Sequence, residues 1–248
     1  MSGHSKWKNI YIRKGAQDAK KGKIFTKVTK ELMLAAKAGG GDPGINARLR
    51  SAIAAAKAVN LPKDKMDQAI KKGTGELAGG NIDEITYEGY GPGGVAVLVE
   101  AATDNRNRTV AEVRSIMSKS GGSLGESGCV AWMFDKKGVI SLDRAKHGEE
   151  QLLELALEAG AEDVVDQDDA WEVHTAPENF EAVRQTLEDA GLEILSAEVS
   201  MVPKNTVDVD VETGRKLLKM LDALDDNDDV QRCHSNFELP DELLAEMG

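Results

Sequence analysis

Few groups in this chain have the spacing that bond-making chemistry needs. Gly121-Gly122-Ser123-Leu124-Gly125 matches G-x-S-x-G letter for letter. That elbow requires a strand before the serine and a helix after it, which hold the hydroxyl on a strained turn. Here the flanking patterns predict a helix first and a strand second, the reverse polarity. Gly89-Tyr90-Gly91-Pro92-Gly93-Gly94 is glycine-rich after a predicted strand, yet Val95-Ala96-Val97-Leu98-Val99 follows it. A dinucleotide loop opens a helix, whereas that run favours a strand. The G-x-x-x-x-G-K-[ST] loop of the P-loop nucleotidases does not occur in the sequence.

Asp225-Asp226-Asn227-Asp228-Asp229 has the alternating acids of a calcium loop, but Val230 and Asn236 stand where glycine and glutamate are required. It reads as a solvated acidic turn. His4, His147, His174 and His234 occur singly, without H-E-x-x-H or C-x-x-C. Cys233 and His234 are adjacent on a predicted strand, so their side chains point to opposite faces. We expect no catalytic residue, no metal site and no cofactor, hence no enzyme and no small-molecule substrate.

What the sequence does offer is an uneven charge. The net charge is −12, but residues 1–80 hold 17 Lys/Arg against 6 Asp/Glu, a balance of +11, and the remainder stands at −23. A basic head on an acidic body is the asymmetry of a polyanion binder whose body is kept off the phosphates. The candidate contacts are Lys6, Lys8, Arg13, Lys14, Lys20, Lys21, Lys23, Lys27 and Lys30. Trp7, Tyr11 and Phe25 interleave with them and could stack on bases, although Phe25 also suits a helical core. A second candidate is Asp104-Asn105-Arg106-Asn107-Arg108-Thr109, between a strand end and a helix start. Arg106 and Arg108 beside free helix N–H groups suit a phosphate. The alternative is that Asn107 or Asp104 caps the helix while the arginines pair with carboxylates. The turn at residues 87–94 could admit a nucleotide near Tyr90 or serve as a plain hairpin.

The elements that must position these groups follow from periodicity. The 248 residues, 41% hydrophobic and 30% charged, suffice for one to three domains without disulfide staples. No apolar run approaches the ~20 residues of a membrane span. Residues 1–30 carry nine Lys/Arg and no apolar core of a signal peptide. A cytoplasmic chain with reduced thiols and no membrane partner is expected. Residues 1–23 read as an arm that orders on a partner. In 25–38, Phe25, Val28, Leu32, Ala35 and Ala36 share one helix face, with Lys27, Lys30 and Lys37 opposite. Gly39-Gly40-Gly41 ends that helix. Asn46 caps a second through 59, and Pro62 opens a third closed by Gly73.

From 81 the pattern turns to short strands and helices: strands at 82–87 and 95–101, a helix at 109–119, a Gly/Ser loop, and a strand at 129–134. Residues 138–199 follow the order βαββαβ, the split ferredoxin-like arrangement. A helix at 212–224, a strand near 230–234 and a tail helix complete the chain. The fold class expected is α+β with three domains: an N-terminal basic three-helix domain and two ferredoxin-like α/β domains, one inserted in the other. Their expected bounds are 1–80, then 81–135 with 203–248, and the inserted 136–202.

Met1-Ser2-Gly3-His4-Ser5-Lys6-Trp7 resembles the start of YebC-type proteins, labelled probable transcriptional regulatory proteins. So do the runs QDAKKGKIFTK at 17–27, GGGDP at 39–43, YEGYGPGG at 87–94, DNRNRT at 104–109 and ALEAGAEDV at 156–164. The likeness covers nearly the whole chain. Asn60-Leu61-Pro62 departs from it, since the family more often has Met at the middle position. The resemblance implies the same three-domain plan and a cytoplasmic, non-enzymatic nucleic-acid binder. It carries two functional labels, a DNA-binding regulator of transcription and a ribosome-associated translation factor. The latter is related to the mitochondrial translational activator of cytochrome c oxidase and eases synthesis of proline-rich stretches. Nucleic acid, either DNA or ribosomal RNA, is therefore the expected partner, with the ribosome as a candidate. The lysine-rich head looks built to position on phosphates rather than to read bases. A third reading is an acidic scaffold whose head pairs with the body of a second copy.

Overall fold

A computed structural model of the chain describes residues 21–79, 81–167 and 170–247. Among the described residues, three helices come first: α1 (Lys21–Gly39), α2 (Ala47–Ala58) and α3 (Lys63–Thr74). They close on their own core of Leu32, Ala35, Ala36, Leu49, Ala56 and Ala69, which a 3.6-residue repeat lines up on facing sides, with Leu61 added from the connection between α2 and α3. Asn46 holds the first two helices together. Its Oδ1 accepts from the Leu49 N–H at 3.0 Å, and its Nδ2 donates to Ala35 O and Gly40 O, each at 2.8 Å. Gly73 lets α3 cross α1 closely, since a Cβ there would lie 2.4 Å from Met33 O and 2.8 Å from the Ala36 Cβ. The third helix runs on to Thr74, one residue past Gly73, and Gly75 (φ 83°) forms its left-handed cap.

The second unit is an antiparallel sheet in the order β3-β1-β2-β9, from β1 (Asp83–Tyr90), β2 (Ala96–Thr103), β3 (Ser123–Leu124) and β9 (Val230–Ser235). Two helices, α4 (Arg106–Lys119) and α7 (Val211–Asp225), cover one face. Val97 and Val99 of β2 pack there against Val113, Met117, Leu217 and Leu221. Ala96 and Leu98 face the other way and are covered by Val130 and Phe134. Being buried on both sides, β2 opens with the apolar run Ala96–Val99, as a central strand should. A parallel pair, β8 (Val207–Asp208) with β10 (Phe237–Glu238), and the tail helix α8 (Asp241–Met247) complete this unit.

The third unit interrupts the second. It contains β4 (Phe134–Asp143), α5 (Glu149–Glu158), β5 (Asp163–Asp166), β6 (Ala170–Thr175), α6 (Phe180–Asp189) and β7 (Ile194–Pro203). Its sheet order, β5-β6-β4-β7, is ferredoxin-like. The second unit has the same spatial order once β2 is counted first and β1 third, so the two sheets are one architecture with a strand moved along the chain. The units share a stem, because β4 and β7 pair from Phe134↔Pro203 onward and Lys204 N donates to Met133 O at 2.9 Å.

One expected strand is absent. Residues 129–133 form a turn and a single 3-10 turn (Ala131–Met133), and the strand starts only at Phe134. The cause is Glu88 on β1. Its buried carboxylate accepts from the N–H groups of Gly128 (2.6 Å), Val130 (2.9 Å) and Ala131 (2.8 Å), which removes those donors from any ladder. The Gly/Ser loop contains the two-residue strand β3, too short for a periodic signal.

Candidate nucleic-acid interface

Among the expected contacts, Lys6, Lys8, Arg13, Lys14 and Lys20 lie outside the described residues, and Lys21 opens α1. The remaining expected α1 lysines are all engaged by the body, Lys27 and Lys30 largely covered and Lys23 half-exposed. Lys23, Lys27 and Lys30, at spacings of four and three, form one stripe laid on the turn after α7. Lys23 Nζ is 3.3 Å from Asp226 Oδ1, and Lys27 Nζ is 2.7 Å from Asp225 Oδ1. Lys30 Nζ donates to Asp229 Oδ1 at 2.7 Å, Asp228 O at 2.7 Å and Ala102 O at 3.0 Å. The run 225–229 is thus more than a solvated turn, although Asp226 and Asp228 stay exposed. It is the receptor for the head's lysine stripe, with Lys30 and Asp229 only 15% and 6% exposed.

Arg106 and Arg108 are likewise engaged. Asn105, which lies between the two expected caps Asp104 and Asn107, accepts from the Arg108 N–H at 3.0 Å and starts α4. Arg106 Nε lies 3.0 Å from Asp83, and Arg108 Nη2 lies 2.7 Å from Asp229 and 3.0 Å from Asp104. Of the two readings of this motif, the pairing with carboxylates is the one the geometry realises.

Asp229 is the centre of the seam. Beyond Lys30 and Arg108, it accepts from Thr109 Oγ1 at 2.8 Å. Burial opposes its ionisation, but the bonds from Lys30, Arg108 and Thr109 outweigh it and hold the carboxyl at about 2. A second bridge flanks it: Arg48 of α2 pairs with Glu31 at 2.8 Å and with Glu84 of β1 at 2.9 Å, which raises its guanidinium further above the ordinary range. Lys37 donates to Ile82 O at 2.8 Å and pairs with Asp83 at 3.5 Å.

The sequence reading passed by other cations of the head. Lys57 at the end of α2, and Lys63, Lys65, Lys71 and Lys72 of α3, are exposed and have no carboxylate partner among the described residues. Their signal was present in K-D-K-M-D-Q-A-I-K-K, but Asp64 and Asp67 make that stretch look like an ordinary solvated face. Between α1, α3 and the start of α4 lies a cleft of about 680 Å³, lined among others by Phe25, Lys30, Lys65, Lys72 and Arg108. Among the described residues, no group of three or more His, Cys, Asp or Glu is placed to hold a metal ion, and no helix is long and apolar enough to cross a membrane.

Comparison with known proteins finds two family matches that cover most of the chain. Residues 5–76 match the TACO1/YebC protein N-terminal domain, and residues 82–237 match the TACO1/YebC second and third domain. A probable transcriptional regulatory protein of Solidesulfovibrio magneticus is 66% identical over 245 residues, 99% of this chain and 100% of the relative. One of the same description from Maridesulfovibrio salexigens is 64% identical over 247 residues, 100% of this chain and 99% of the relative. Among solved structures, a conserved hypothetical protein from Aquifex aeolicus superposes with a TM-score of 0.82 at 47% identity, over 90% of this chain and 92% of that one.

Proposed function

The chain belongs to the TACO1/YebC family, and from that premise we propose that it is a non-enzymatic, nucleic-acid-binding regulator of gene expression that docks by its head. Phosphates are met by the basic arm, with Lys6, Lys8, Arg13, Lys14 and Lys20, and by Lys57, Lys63, Lys65, Lys71 and Lys72. The observation that supports this is the contrast between the two lysine sets. Lys23, Lys27 and Lys30 each have a carboxylate, whereas the exposed α3 set has none among the described residues. An unpaired ammonium can meet a phosphate without first breaking an ion pair. The names of the relatives point to transcription as the process, and DNA is the polymer proposed for it.

The free cations of α3 are all lysines, point charges that neutralise phosphates without the forked geometry that reads guanine edges. That chemistry favours position over sequence, and it fits a ribosomal RNA surface and a role in translation as well as it fits a promoter. Binding of the full chain to a promoter fragment, to scrambled DNA of equal length, and to ribosomes by co-sedimentation separates the readings. Equal affinity for promoter and scramble together with ribosome co-sedimentation selects RNA. Replacing Lys57, Lys63, Lys71 and Lys72 by Ala should weaken binding to every polymer alike, and reduce the slope of log K against log salt by roughly 0.7–0.9 for each phosphate no longer neutralised. Undiminished binding by that variant and by a chain lacking residues 1–20 would end the proposal.

A further inference from the structure

We infer that the cleft between head and body is a nucleotide pocket, which takes one unit of a nucleic-acid strand or a free nucleotide. This inference rests on the polyanion-binding reading and gives it a specific seat. The cleft, about 680 Å³, falls within the ~300–1,000 Å³ range of pockets that enclose small ligands. Its lining combines three chemistries that a nucleotide needs and a bare phosphate does not. Phe25 offers an aromatic face, with Lys65 Nζ 6.0 Å from the ring centroid, above a floor that includes Met33 and Ala69. Thr29 and Gln68 bring a hydroxyl and a carboxamide with no hydrogen-bond partner among the described residues, suited to base or sugar edges.

The charge is positive where it is free. Six charged side chains line the cleft: Lys30, Lys65, Lys72, Arg108, Asp104 and Asp229. Both carboxylates are already matched, Asp229 by Lys30 and Arg108, and Asp104 by Arg108. Lys65 and Lys72 remain, two helical turns apart on one face of α3, to take the phosphate. The base then lies toward Phe25, and the ligand touches both the helical head and the start of α4. Occupancy would therefore bridge two domains as well as hold a nucleotide.

The test uses the full chain, a labelled 12-nucleotide oligo-U and oligo-dT, and AMP and inorganic phosphate as competitors. Thr26→Trp plugs the cleft from α1 without changing charge, and Lys65→Ala with Lys72→Ala removes the phosphate contacts from an exposed helix. Melting curves show that each variant is folded. The expected result is at least about tenfold weaker binding of the oligonucleotide, of AMP, or of both in each variant, with AMP competing far better than inorganic phosphate. Loss confined to the oligonucleotide identifies a strand as the source, and loss confined to AMP a free nucleotide. Unchanged binding of both by the folded Thr26→Trp chain overturns the pocket, even if long nucleic acid still binds and the polyanion reading stands. Conversely, a wild type that ignores long nucleic acid but binds AMP in a Thr26→Trp-sensitive way retains the pocket and loses the polyanion reading. Binding of neither ligand to the wild type removes both.

Discussion

Lys30 and Asp229, 199 residues apart in sequence, meet at 2.7 Å in the seam between the helical head and the first sheet. Neither side chain reaches bulk water freely, and each satisfies further partners: two carbonyls for Lys30, and Arg108 and Thr109 for Asp229. A buried ion pair adds little over apolar packing, but removing one member strands the other.

Lys30→Ala is therefore expected to destabilise the fold by about 1–3 kcal/mol, less than for a wholly isolated pair because Arg108 still serves Asp229. Urea denaturation of Lys30→Ala, Asp229→Ala and the double variant measures the coupling. Additive losses would show that the pair contributes nothing of its own.

Acid should loosen the same seam. Asp229 titrates at about 2 in the fold and near ~3.9 in an unfolded chain. Its folded value is the lower of the two, so its contribution is fully present above about pH 4 and is lost as pH falls toward 2. The amount at neutral pH is about 2–3 kcal/mol. The melting temperature should drop through that window, and the drop should be shallower in Asp229→Asn.

Glu88 controls the 128–131 turn. Burial opposes its charge, but the N–H groups of Gly128, Val130 and Ala131 hold its carboxyl below the ordinary range. Glu88→Gln turns an –NH2 group toward at least one of those donors and should lose about 1–3 kcal/mol. Faster amide hydrogen exchange at these three residues, with the α1–α3 amides unchanged, is the expected readout. It would also disturb the setting of Trp132, which is 64% exposed on the turn this carboxylate pins.

Gly73→Ala tests the head separately. The added methyl meets Met33 O and the Ala36 Cβ inside ordinary contact distance, so α1 and α3 must part, at about 1–3 kcal/mol. Circular dichroism should show early melting of helix, while the hydrogen-exchange protection of β4 and β7 is retained.

Much of the architecture was legible because it is written in local repeats. Leu32, Ala35 and Ala36 mark a helix face, Asn46 a cap, and the alternation from 138 to 199 a βαββαβ unit. The candidate site was legible only as a composition. A lysine faces water or a carboxylate according to contacts that no local window contains, and Asp225 lies 198 residues from Lys27. The same limit applies to 129–134, whose residues favour a strand until a carboxylate 40 positions upstream captures their amides. The α3 lysines were visible but undistinguished, because what sets them apart is the lack of a partner in space.

The stem at Phe134↔Pro203 gives the chain a modular grammar. Since the ends of the third unit are strand neighbours, that unit occupies a single point on the contour of the second, as a clause set between brackets leaves its sentence whole. Beyond that stem it can be lengthened or exchanged without re-threading the sheet beneath, provided Phe134 stays to cover Ala96 and Leu98.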